Sequence, residues 1–128
     1  MSAKPKRPTE SELSILRVLW QHGPMSVRAV QEILDAERPT GYTTALKLMQ
    51  IMLEKRLVER DESVRPQLYK ARHPQEQTQR QLVGDLLDRA FGGSVRELVL
   101  QALSTQKSTP EELTKMERLL DQMEGRKR

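Results

Sequence analysis

Apolar residues recur every three to four positions along most of the chain and every second position over one short stretch. This pattern predicts helices interrupted by a hairpin. Leu13, Ile15, Leu16, Val18, Leu19 and Trp20 cover most of a first helix, leaving Glu10, Ser14, Arg17 and Gln21 as a narrow polar strip. Thr9 and Glu12 have the spacing of a capping box, and His22-Gly23-Pro24 ends the segment. A helix this apolar belongs at the centre of a small domain, with Trp20 as a core anchor. Ser26 is placed to cap a second helix, on which Val27, Val30, Ile33 and Leu34 form one face through Ala36. Glu37-Arg38-Pro39-Thr40-Gly41 breaks the pattern.

The third helix, Gly41 to Lys55, has two faces of different chemistry. Ala45, Leu48, Met49 and Met52 fall on one side, and Thr43, Lys47, Gln50 and Glu54 on the other, with Thr44 at its edge. A solvated helix face is usually lined by long charged side chains. This one begins with hydroxyls, a Lys and a Gln, groups able to reach base edges and phosphates in a DNA major groove. Two helices joined by a short break, the later one carrying such a face, form a helix-turn-helix layout.

Leu57-Val58-Glu59-Arg60 and Gln67-Leu68-Tyr69-Lys70-Ala71 alternate like strands around the turn-forming Asp61 to Pro66. Arg56, Arg60, Arg65, Lys70 and Arg72 make this hairpin basic. Three helices and a basic hairpin predict a winged helix whose wing, through Arg65 and Lys70, touches phosphate. His73-Pro74 marks a boundary. Beyond a Gln-rich stretch, Leu82, Val83, Leu86, Leu87, Ala90 and Phe91 recur at helical spacing until Gly92-Gly93. Ser94 and Glu97 predict a second capping box, ahead of Val95, Leu98, Val99, Ala102 and Leu103. Thr109 and Glu112 predict a third, with Pro110 at the first helical position. Leu113, Met116, Leu120 and Met123 follow, and Gly125 is a natural helix terminus.

The expected organisation is a basic arm over residues 1–8, a winged-helix domain over 9–74 and a helical region over 75–125. The fold class is mainly α with a small β-hairpin wing. The last region is too small to bury a stable core by itself. Its apolar faces predict a homodimer, with Leu82, Leu86, Phe91, Val95, Leu98, Val99, Leu113, Met116 and Leu120 at the interface.

Composition narrows the chemistry. Aromatic residues are only 3% of the 128 positions and cysteine is absent, so disulfides and thiolate metal sites are excluded. His22 and His73 lie far apart with no ligand spacing around them, so no metal or cofactor is expected. No apolar run reaches the roughly 20 residues needed to span a membrane, and the charged N-terminus has no apolar stretch behind it. The cytoplasm is therefore the expected compartment. Net charge is +4, and residues 1–73 hold 13 Lys/Arg against 9 Asp/Glu, whereas 74–128 hold 9 of each. The basic excess sits with the predicted winged helix and favours an anionic partner there.

Taken in order, these motifs resemble the penicillinase-repressor (BlaI/MecI) family of bacterial transcriptional repressors. The marks are Pro8 to Leu13, Val18-Leu19-Trp20, Tyr42-Thr43-Thr44, Glu54 to Val58, Leu68-Tyr69-Lys70-Ala71, Phe91-Gly92-Gly93-Ser94 and Leu98-Val99-Leu100. The resemblance implies a dimer that binds a palindromic double-stranded DNA operator and represses genes, often for β-lactam resistance. It also implies a partner, a membrane-bound sensor with a zinc-protease domain, that relieves repression by cutting the dimerisation region. The matching cleavage positions here are Gln101 and Ala102, where staphylococcal members have Asn and Phe. A copper-responsive branch with a Cys-rich tail is excluded by the lack of cysteine. Arg56 stands where the family often has Gly, which predicts loss of a left-handed turn position at the base of the wing.

An enzyme is not expected, because no nucleophile–base pair, phosphate loop or metal cluster is present. The competing reading is a winged-helix module that docks a protein through the third helix, using Leu46 and Ile51 beside its polar face. No small-molecule pocket is evident, so dimerisation is the expected control point.

Overall fold

A computed structural model describes residues 7–126, with side chains through Glu124. The basic arm expected at residues 1–8 lies, apart from Arg7 and Pro8, outside the described residues. The elements run α1 (Glu10–His22), α2 (Val27–Glu37), α3 (Tyr42–Glu54), β1 (Val58–Asp61), β2 (Leu68–Ala71), α4 (Gln75–Ala90), α5 (Val95–Thr105) and α6 (Pro110–Arg126). This is a mainly helical winged helix followed by further helices, as the hydrophobic pattern predicts. The chain divides into two compact units, Met1–Leu82 and Val83–Arg128. The division falls inside α4 rather than at His73-Pro74.

The first unit is built around α1. Thr9 Oγ1 accepts from the Glu12 N–H at 3.2 Å, and the Thr9 N–H donates to Glu12 Oε1 at 2.9 Å, closing the predicted box. Ile15, Leu16 and Leu19 are buried against Val27 and Val30 of α2, Ala45, Met49 and Met52 of α3, and Leu57, Val58 and Tyr69 of the wing. Trp20 is half-buried and donates its Nε1–H to the His73 carbonyl at 3.0 Å, fastening the chain where it leaves the wing. Ser26 caps α2 by accepting from the Ala29 N–H.

Two features position the wing. Arg56 N–H donates to the Leu53 carbonyl and Leu57 N–H to the Met52 carbonyl, a Schellman closure of α3 with Arg56 at φ 61°. The left-handed position expected to be lost is therefore kept, occupied by Arg instead of Gly. The closure places Leu57 in the core, so β1 starts at Val58, one residue later than the alternation predicts. β1 and β2 pair antiparallel with Arg60 opposite Tyr69 and Glu59 opposite Lys70. Met25, from the α1–α2 connection, exchanges both backbone hydrogen bonds with Tyr69 at 2.9 and 2.7 Å. That bridge, absent from the sequence reading, locks β2 onto the entry to α2.

In α4 the Gln-rich stretch forms the first turns, with Thr78 buried. Gly92 and Gly93, at φ 54° and 84°, make the left-handed exit at no steric cost. In the second unit, Ser94 accepts from the Glu97 N–H at 3.2 Å, but the reciprocal bond is not made. Glu97 lies 3.5 Å from Arg96 instead, so the predicted second capping box is half formed. The third is complete between Thr109 and Glu112. Gly125 does not end α6, which runs on to Arg126. A helix tolerates one glycine at a cost of about 1 kcal/mol.

Candidate nucleic-acid interface

The exposed face of α3 is fixed by its buried one. Ala45, Met49 and Met52 are fully enclosed, so rotation of α3 about its axis would pull three core residues into water. That holds Thr43, Thr44, Lys47, Gln50 and Glu54 outward, and all five are exposed. None of the side chains of Thr43, Thr44, Lys47 or Gln50 makes a hydrogen bond or ion pair with another described residue. Leu46 is half-buried and Ile51 is exposed at the edge of the same face. The first turns of α2 and α3 carry no acid, so no negative charge there offsets the positive end of either helix dipole.

The wing cations divide into engaged and open groups. Arg60 is ion-paired with Glu62, and Tyr69 and Glu62 together hold its guanidinium firmly charged. Lys70 lies 3.6 Å from Glu59 on the opposite strand. Arg65 donates to the carbonyls of Glu62 and Val64 at 2.7 and 3.1 Å, bracing the wing tip. Asp61 shapes the same turn by accepting from the Ser63 hydroxyl and N–H, which lowers its pKa. Arg56 and Arg72 make no ion pair among the described residues. The two wing residues singled out from sequence, Arg65 and Lys70, thus have intramolecular partners, although both stay exposed.

One contact between α2 and the first residue of α3 escaped the sequence reading. Arg28 of α2 lies over the ring of Tyr42, with its guanidinium carbon 4.4 Å from the ring centroid. Their separation in sequence has no helical or strand period, so no linear signal joins them. An open groove of about 740 Å³, also unforeseen, is lined by Leu13, Arg17, Leu34, Arg38, Thr44, Leu48 and neighbours from α1 to α3.

In the second unit no residue from 83 to 124 is buried. Of the interface residues predicted there, Leu86, Val95, Val99, Leu113, Met116 and Leu120 are exposed, and Phe91 and Leu98 are half-buried. Leu82, in the first unit, is half-buried. Gln101 and Ala102 are exposed in the middle of α5. No described helix is long and apolar enough to cross a membrane. Among the described residues no three metal-ligating side chains come together.

Comparison with known proteins returns no match among curated sequences. The chain is similar to the one in the structure of reduced AbfR bound to DNA, with a TM-score of 0.43 and 19% identity, covering 94% of this chain and 75% of that one. The model of the penicillinase repressor family matches residues 8–122. That match runs from the residue before the Thr9 cap to the last turns of α6, and the chain belongs to the penicillinase repressor family, a family of DNA-binding transcriptional repressors and not of enzymes.

Proposed function

We propose that the protein is a cytoplasmic homodimeric repressor that reads a palindromic operator with α3. The observation that carries this is the open polar face of α3, held outward by three buried residues of the same helix. Gln50 and Lys47 are suited to bidentate contact with adenine and to guanine, respectively, and Thr43 and Thr44 to either base edges or phosphate. Arg65 and Lys70 follow the backbone from the wing, with Lys70 exchanging Glu59 for a phosphate. A palindrome suits two copies of one reading head related by a two-fold axis.

The partner in the dimer is a second copy of this chain. Helices α5 and α6 expose Val95, Val99, Leu113, Met116 and Leu120 and bury nothing of their own. An isolated helix as short as α5 is marginal in water, and the exposed apolar faces of both helices call for a covering surface. A self-complementary face supplies it.

Release follows from the same layout. A cut between Gln101 and Ala102 would separate Leu103 and all of α6 from the winged helix. Loss of the second head would lower operator affinity by about 10²–10⁴-fold without touching α3. The cutting partner is a membrane sensor-protease, and α5 must open locally to admit it, because a protease binds extended chain. The reading is tested by selecting duplexes from a random library with the full chain. A palindromic consensus bound by a sedimenting dimer supports it, and recovery of no preferred sequence overturns it.

A further inference from the structure

We infer that Arg28, stacked on Tyr42, is a phosphate-binding site that grips the DNA backbone beside the reading helix. The inference rests on the reading of α3 as the DNA-contacting helix, and adds to it a contact from a different helix, α2.

The geometry carries it in three steps. First, a guanidinium over an aromatic ring uses its face for the ring and keeps its N–H edge free. That edge is the part of Arg that binds two phosphate oxygens at once. Arg28 is exposed and has no carboxylate partner among the described residues, so nothing competes for it. Second, the stack fixes the side chain before any ligand arrives. A long cation free in solvent loses rotamer freedom on binding, and one already held loses less. Tyr42 is the first residue of α3 and is 39% exposed, so the guanidinium is held beside the first turn of the reading helix. Third, Arg28 and Tyr42 line a hollow of about 160 Å³ together with Ser26, Leu46, Gln67 and Tyr69. Its walls come from the start of α2, the start of α3 and the wing, and no acid is among them. The Ser26 oxygen accepts from the Ala29 N–H and the Tyr69 hydroxyl pairs with Arg60, so Arg28, Gln67, the Tyr42 hydroxyl and the O–H of Ser26 are the donors left in this lining. A concave, cation-bearing, acid-free site between reading helix and wing suits a single phosphodiester.

A backbone contact makes a signature that a base contact does not. Arg28→Ala should weaken binding to a library-selected operator and to a scrambled duplex alike, by about three- to tenfold at low salt. The slope of log affinity against log salt should shrink by about 0.9 for each engaged protomer. Base preference at every operator position should stay as in the parent chain. Tyr42→Leu should weaken both duplexes several-fold while keeping the salt slope, because the charge remains but is no longer held. Operators with one phosphate at a time replaced by methylphosphonate then locate the contact. One replacement per half-site should weaken the parent chain and leave Arg28→Ala unaffected. If the parent chain reads its operator and Arg28→Ala keeps both its slope and its methylphosphonate profile, this site is overturned and the reading of α3 stands. If the parent chain shows no salt-dependent binding to any duplex, both fall together.

Discussion

Lys55 Nζ donates to Glu12 Oε1 across 2.9 Å, tying the end of α3 to the first turn of α1. Glu12 is 2% exposed, and the same oxygen, Oε1, also accepts from the Thr9 N–H at 2.9 Å. One acid thus caps α1 and anchors the reading helix. Burial by itself would raise the Glu12 pKa. The hydrogen bonds from Thr9 and Lys55, with the Lys55 charge, outweigh it and hold the carboxyl below its ordinary value of 4.5.

The sign of the pH dependence follows. A carboxyl whose folded pKa is lowered adds stability that is whole above its unfolded value and is lost as pH falls through the folded one. Glu12→Gln keeps an acceptor for Thr9 but removes the partner of Lys55. It should cost about 1.5–3 kcal/mol at neutral pH. In urea melts the gap from the parent chain should be constant above the ordinary carboxylate range and should close as pH falls below 4.5. A gap that does not change with pH would show that the loss is one of packing.

Arg56 holds φ 61° in a closure that usually takes glycine. A side chain in that region costs about 1–2 kcal/mol, and glycine loses about 0.5–1 kcal/mol of that gain through its freer unfolded chain. Arg56→Gly should therefore raise stability by up to about 1.5 kcal/mol. A lower melting temperature would mean that the arginine side chain contributes more than its backbone costs.

Legibility in the sequence tracked distance along the chain. The Thr9–Glu12 and Thr109–Glu112 boxes, the Ser26 cap and the two faces of α3 are local patterns and were readable in full. The Lys55–Glu12 pair, the Arg28–Tyr42 stack and the Met25–Tyr69 bridge join separate segments, and no period announces them. At Arg56, residue type alone does not decide backbone conformation. The burial of Leu57 and the two closing hydrogen bonds impose it. Gly125 shows the converse, since a residue that can end a helix need not do so.

The proposed dimer makes a prediction at positions where the single chain loses nothing. Leu113 and Leu120 are 43% and 60% exposed. Replacing both with Asp should leave the thermal melt of the winged helix unchanged and give a monomer in sedimentation. Operator affinity should fall by about 10²-fold or more. A doubly substituted chain that still sediments as a dimer would place the interface elsewhere.

In the wing, Lys70→Ala should weaken specific and scrambled duplexes equally and flatten the salt dependence by about 0.9 per protomer. Arg65→Ala should do the same and also loosen the tip, because its bonds to Glu62 and Val64 are lost. Faster amide exchange confined to residues 62–65 would register that loosening.

The central claim is that the outer face of α3 reads bases, and Gln50 tests it most directly. It is exposed, makes no side-chain hydrogen bond with another described residue, and lies opposite the core face of its helix. Affinities of the parent chain and of Gln50→Ala should be measured against a complete set of single-base operator variants at fixed salt. A base-reading glutamine predicts a loss of about 1–3 kcal/mol on the selected operator, with discrimination abolished at one position per half-site and retained at the others. An unchanged ranking of all the variants would contradict the account.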